Sequence, residues 1–507
     1  LAIAGLLSAI SCAEQAVCDA NDDPGLRAAQ AGSSALEAAV AQDPPSAKQG
    51  PELIHPPREA ADAMPGEELS LTDAIGLASA ANPDVKSALE RTRIAEAVLA
   101  NARAQFYPTL TAIQEYQVSD NPLREFSYLL SQGVVDPNQL FPLPDVRDNF
   151  HTQLHLQEDL YTGGLRRARA RAAEADSEAA HYSLAAVRNQ LVFQVAESYY
   201  RVFQARALVG VRRETVALLE SQLKVVQSRF AANTAVKSDV LRVEVRLAES
   251  RENLITATNA FELAKAVLEN VLGTRIGGRP LPQQLPAAPW SEQIDRKAAA
   301  LAAVLGSPEA VEGAVDEAVQ QRPEMKETAS LRAAAEHQVR AAQSAKYPTV
   351  GVVGDFDLNA QDLRKGDASY FFGIALSLNL FDGHRTQTSV RQAEARVREI
   401  SARSERVKLD IELDVRRAYL QLKDARERLK VTASTLAYAE ENLRQVEARF
   451  RRETATTTEL LDAQVVLSDA RVRSISTAAD VEIARASLER ALGRLSDLLN
   501  GCNEPHE

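Results

Sequence analysis

Cysteine is nearly absent, with three residues in 507, at Cys12, Cys18 and Cys502. So few, so spaced, exclude a disulfide framework and a thiolate metal site. Aromatic side chains make up only 5% and tryptophan occurs once. Alanine, leucine, arginine and glutamate fill long stretches instead, the composition of long helices and coiled coils rather than of compact mixed domains. No basic excess exists either: 58 Lys and Arg against 70 Asp and Glu leave a net charge of −12, which suggests no basic face for nucleic acid. Past residue 13 no apolar run reaches the roughly 18 residues a membrane helix requires, so a chain of this kind that spans a membrane does so with strands. No Ser-His-Asp or Cys-His pattern stands out, and "GTRIGG" at 273–278 lacks both the lysine of a phosphate loop and a preceding strand. No catalytic residue, metal or cofactor is expected, and the chain does not read as an enzyme.

The opening "LAIAGLLSAI", followed by Ser11 and Cys12, reads as the back half of an export signal over residues 1–13. Ordinary cleavage near Ala13 is one outcome. Lipidation of Cys12 is the other, although Ala9 stands where leucine is usual three positions before an acylated cysteine. Residues 14–70, rich in alanine and proline, read as an extended N-terminal segment.

What the chain does contain is a repeat of itself. "LYTGGLRRARARAAEA" begins at Leu160 and "LFDGHRTQTSVRQAEA" at Leu380; Tyr199 pairs with Tyr419, Arg229-Phe230 with Arg449-Phe450, and Gly273 with Gly493, always 220 residues apart. Upstream the offset is 240, with Asn82-Pro83 matching Arg322-Pro323 and Tyr107-Pro108 matching Tyr347-Pro348, so the first copy carries 20 extra residues in one loop. The copies are assigned to residues 71–273 and 316–495, joined by a linker over 274–315 and followed by a tail over 496–507.

Within each copy a helical pattern ends at Tyr-Pro, because proline lacks an amide donor and pushes its predecessor towards extended conformations. Alternation follows. Phe150, Thr152, Leu154, Leu156 and Leu160 share one face and His151, Gln153, His155, Gln157 and Asp159 the other, with Glu158 a polar intruder. In the second copy Tyr370, Phe372, Ile374, Leu376, Leu378 and Leu380 alternate with Phe371, Gly373, Ala375, Ser377 and Asn379. With partners at 109–118 and 350–358 these make four strands of about ten residues, the length that crosses a bilayer at a tilt. The hairpins span about 109–160 and 350–381, and 119–149 is the long outer loop of the first. His151 and His155, a pair without carboxylate or cysteine company, read as solvated rather than metal-bound.

Beyond Gly163-Gly164 and Gly383 the period changes. Val415, Ala418, Leu422, Ala425, Leu429, Thr432, Leu436, Ala439, Leu443, Val446 and Phe450 keep a 3-4 spacing for five heptads, a coiled-coil seam. The first copy repeats it from Val195 to Phe230, broken only by Arg212. An unbroken helix over 161–233 would reach roughly 100 Å; it then turns near Asn233 and Glu453 and returns through 241–272 and 461–492. A four-stranded sheet with unpaired edges cannot sit alone in lipid. Membrane barrels begin at about eight strands, so an oligomer is required, and strand count alone does not choose between two copies and three.

Two tandem repeats, each with Tyr-Pro, a glycine-marked strand end, a long coiled-coil helix and an Arg-Phe turn followed by Asp239-Val240-Leu241 or Glu459-Leu460-Leu461, resemble the TolC-type outer-membrane efflux protein family over residues 71–495. The resemblance implies an α+β membrane protein: a homotrimer whose 12-stranded β-barrel, four strands per chain, continues into a long α-helical coiled-coil tunnel. It implies a place in the outer membrane of a Gram-negative bacterium, in contact with outer-membrane lipid and extending into the periplasm. It further implies a passive exit duct for efflux or type I secretion, working with a periplasmic membrane-fusion adaptor protein and an inner-membrane pump of the RND, ABC or MFS type. The competing function is a soluble periplasmic coiled-coil scaffold, against which the apolar strand faces argue.

Gly163, Gly164 and Gly383 mark the barrel-to-helix transition, where glycine permits a sharp change of backbone. By resemblance, Asn233, Thr234 and Ala235 and the matching Glu453, Thr454 and Ala455 are the helical tips that dock the adaptor. Where the family usually has glycine, Asn233 tolerates a left-handed conformation and Glu453 does so poorly. Glu459 and Asp462, three residues apart, share a helix face. With Asp239 they match the acidic residues of the tunnel constriction, though alone they read as a solvated helix surface. Some relatives secure the closed mouth with a tyrosine and an arginine where this chain has Phe450 and Ala455.

Overall fold

The computed structural model describes residues 68–134, 146–276, 280, 308–362, 365–452 and 454–495. Expectations for the export signal, Cys12, most of the N-terminal segment, Glu453 and the C-terminal tail lie outside the described residues.

Each copy opens with a short helix, an X-Pro step and a longer helix: α1 Leu71–Ala81 and α2 Pro83–Ala104 in the first, α6 Pro308–Gln321 and α7 Pro323–Ser344 in the second. The proline stands at the first turn of the second helix, where no amide donor is needed, and Asn82 caps α2 by accepting from the amides of Asp84 and Val85. Helix α6 starts eight residues before the expected repeat boundary at 316.

Four strands follow in two hairpins: β1 Thr109–Ser119, β2 Arg147–Tyr161, β3 Thr349–Asp362 and β4 Lys365–Ser377. They form one antiparallel sheet in the order β1-β2-β3-β4. The expected alternation holds: Leu154 stands opposite Phe356 and Gln153 opposite Asp357, while Phe356 meets Tyr370 across the next ladder. Three expectations need correction. Strand β4 ends at Ser377 rather than near residue 380, with Leu380 91% exposed beyond it. Strand β2 begins at Arg147, three residues early. The outer loop contains a helix, α3 Pro122–Ser131; Asn121 caps it and Pro122 occupies its first position, a start signal present in the sequence.

Glycine steps lead from the sheet into two helices of 67 residues each, α4 Leu165–Ala231 and α8 Arg385–Arg451, about 100 Å long. The return helices, α5 Lys237–Leu272 and α9 Thr457–Leu492, begin one turn earlier than expected. Among the described residues no helix is long and apolar enough to cross a membrane. Helix α4 packs against α2, α5, α7 and α9, and α8 against α6, α7 and α9. The α8 seam is buried or half-buried throughout. In α4 the seam is less even, for Phe230 is 44% exposed whereas Phe450 is 7% exposed. Phe450 packs with Leu460 and Ala463, while Val243, at the place of Ala463, joins Leu219, Leu247 and Leu461 instead.

Candidate functional site

The two helical tips share one hydrogen-bond pattern. In the first, Asn233 takes φ +59, the left-handed conformation expected of it, and both the amide and hydroxyl of Thr234 donate to the Arg229 carbonyl, at 2.9 and 3.0 Å. In the second, Thr454 repeats both bonds to the Arg449 carbonyl at 2.9 and 3.1 Å. Thr456 then caps α9 by accepting from the Glu459 amide at 3.2 Å. Ala455 packs against the Phe450 cluster.

Three arginines fasten the tips, the first two from hairpin to hairpin and the third within the second. The Arg229 guanidinium lies 4.6 Å from the Phe450 ring centroid, a cation–π contact between the first hairpin and the second. Arg242 Nη1, one turn past Asp239, donates to Thr458 Oγ1. Arg449 Nη2 stands 3.4 Å from Glu459 Oε2. The duplicated Arg-Phe pair was the sequence signal for two of them.

Helix α9 buries Leu460, Ala463 and Leu467 among α8 residues and Leu461 among α4 and α5 residues. Glu459, Asp462 and Asp469 remain exposed on the remaining stripe. Asp239 takes the same first-turn position in α5 that Glu459 takes in α9, where a carboxylate also suits the helix dipole.

At the transition Gly163, Gly164 and Gly383 have φ of +62, +89 and +63. His384 joins them at φ +66, in the place of Gly164. Glu158, the polar residue on the apolar strand face, is explained by Arg166 of α4, whose Nη1 lies 3.1 Å from its Oε1.

The polar face of the sheet corrects one premise about the histidines, that they lack carboxylate company. His151 Nε2 lies 2.8 Å from Asp357 Oδ1, and His155 Nδ1 lies 2.6 Å from Asp355 Oδ1. The carboxylates come from the neighbouring strand, which spacing along β2 could not reveal. Among the described residues no group of three or more ligating side chains could hold a metal.

Residues 74–274 and 314–494 match the family described as outer membrane efflux protein. The chain is similar to the outer membrane efflux protein BepC of Brucella suis, 22% identical over 435 residues, covering 84% of this chain and 86% of that one. It is likewise similar to protein CyaE of Bordetella pertussis, 26% identical over 437 residues with 85% of each covered. In fold it resembles the CmeC outer membrane channel of Campylobacter jejuni, with TM-score 0.70, 14% identity, and 84% and 85% of the two chains covered. With the family matched separately over both repeats, the chain belongs to the outer membrane efflux protein family.

Proposed function

We propose that three copies of the chain close their sheets into one 12-stranded barrel in the outer membrane, continuous with a helical tunnel, and that the assembly is a passive exit duct. The single observation that carries this reading is the sheet: four strands with β1 and β4 unpaired at its edges, and an apolar face on which Leu110, Tyr116, Leu154, Phe356, Tyr370, Phe372 and Ile374 are all exposed. Open edges in lipid leave amides and carbonyls without partners, and closure by other copies satisfies them. The family fold supports three.

The tips, Asn233, Thr234 and Ala235 with Glu453, Thr454 and Ala455, are the docking surface for a periplasmic adaptor, through which an inner-membrane pump drives transport. Asp239, Glu459 and Asp462, repeated by three chains, line the inner mouth as acidic rings. A soluble scaffold would have no use for strands that present aromatic and aliphatic side chains outward. Mass measurement in mild detergent should give three chains; a purely monomeric species would sink the reading.

A further inference from the structure

The β1–β2 connection is far longer than the β3–β4 connection, and helix α3 sits in it. Glu125, Tyr128 and Gln132, at helical spacing, are buried. Glu125, 1% exposed, pairs with Arg147 Nε at 3.0 Å. Gln132 Nε2 donates to Asn149 Oδ1 at 3.0 Å, and Asn149 Nδ2 donates to Asn359 Oδ1 at 2.8 Å. A Cβ on Gly133, just past the helix, would lie 2.8 Å from Asp367 Oδ2. Arg147, Asn149, Asn359 and Asp367 alternate in register with His151, Asp355 and Asp357 on the polar sheet face. The helix is therefore fastened to the face that lines the channel, at the end remote from the long helices. Its opposite side carries Leu123 and Leu130, two turns apart and 77% and 53% exposed. A face turned away from the wall of a barrel looks at its axis.

We infer that α3 is an outer gate: three copies meet on the barrel axis through Leu123 and Leu130 and close the channel's outer mouth with an apolar plug. The inference rests on the trimeric barrel proposed above. Twelve strands about 4.8 Å apart and tilted about 40° enclose a backbone diameter of about 24 Å. A helix resting on the side chains of that wall keeps its axis roughly 8–10 Å from the strand backbone, so at a radius of about 12 Å each copy reaches the barrel axis. Three copies of α3 on the inner wall thus fill the mouth, and the occupant of each exposed leucine face is the same face of the other two copies. Burying those leucines against one another removes apolar surface from water, and an apolar constriction stops hydrated solutes.

Single cysteines in the full-length protein test the contact. In the detergent-purified trimer, Leu123→Cys and Leu130→Cys should each give a covalent dimer with a short bis-maleimide. Tyr370→Cys, on the lipid face, and the parent chain with its own Cys12, Cys18 and Cys502 set the background. An intact trimer in which neither leucine position links above that background overturns the gate alone, whereas a monomer in the mass measurement removes the trimer and the gate together. Closure has its own readout, through Ser369→Cys on the channel face. A large polyethylene-glycol maleimide added outside intact cells should label it about tenfold faster when Leu123→Asp and Leu130→Asp are also present. Equal rates with and without the aspartates overturn closure.

Discussion

At the junction of strand and helix a single β-carbon separates two glycines with nearly the same backbone. A Cβ on Gly163 would stand 2.7 Å from the Ser344 carbonyl oxygen and 2.8 Å from Tyr347 Cβ, whereas one on Gly383 would meet nothing within 4 Å. Both have positive φ, so each alanine pays about 1–2 kcal/mol of left-handed strain. Gly163→Ala adds the collision and should destabilise by about 2–4 kcal/mol in all. Thermal melting of the two variants in detergent should rank Gly163→Ala well below Gly383→Ala, and equal melting would refute the close approach. These glycines were legible because glycine beside a strand end has few other uses. His384 was not: nothing marks a histidine as left-handed, and only its alignment with Gly164 points to it. The His–Asp pairs stayed hidden for a related reason, since His155 and Asp355 are 200 residues apart and meet only through the β2–β3 register.

Elements were legible where a period runs long. The seam of α8 repeats for five heptads and the structure buries or half-buries every seam position, while the ten residues of α3 are too few for a period to stand above noise. The ends of elements depended on polar contacts that carry no period. At the start of α7 the Arg322 guanidinium, with a side chain 6% exposed, reaches Glu324 at 2.8 Å and Asp414 of α8 at 3.4 Å. Burial pushes the Glu324 carboxyl up, but the hydrogen bond and charge of Arg322 outweigh it and hold the group below its ordinary value of 4.5. A depressed pKa in the folded state means stability that is present above about pH 4.5 and lost as pH falls through the folded value. Glu324→Gln should therefore lower stability by about 1–2 kcal/mol at neutral pH. The gap to the parent should shrink as the buffer is taken below pH 4.5. A gap that stays constant down to acid would show that Glu324 contributes packing and not charge.

For the whole molecule, the open edges of the sheet were legible, but the balance of charge at the helical tips was not. Glu459 and Asp462 look equivalent in the sequence, whereas in the structure Glu459 shares its charge with Arg449 at 3.4 Å. Among the described residues no hydrogen bond or ion pair engages the Asp462 side chain. The Arg449–Glu459 pair is about half exposed on both sides, so it contributes little to stability, about 0–1 kcal/mol, yet it still cancels charge locally. If three chains stack these residues into rings, the Asp462 ring is the more negative of the two and governs the attraction of cations into the passage. Asp462→Asn should then reduce cation preference and block by multivalent cations more than Glu459→Gln does in single-channel recordings, with the Ala double variant lowest of all. Trimer formation should survive in each case, because both side chains are exposed in the chain and neither substitution removes a core contact. Arg449→Ala gives the opposite sign: freeing Glu459 from its partner should raise cation preference. If the Asp462 variant conducts with unchanged selectivity and block while Arg449→Ala has no effect, the acidic residues are a solvated helix surface and the narrowest part of the duct lies elsewhere.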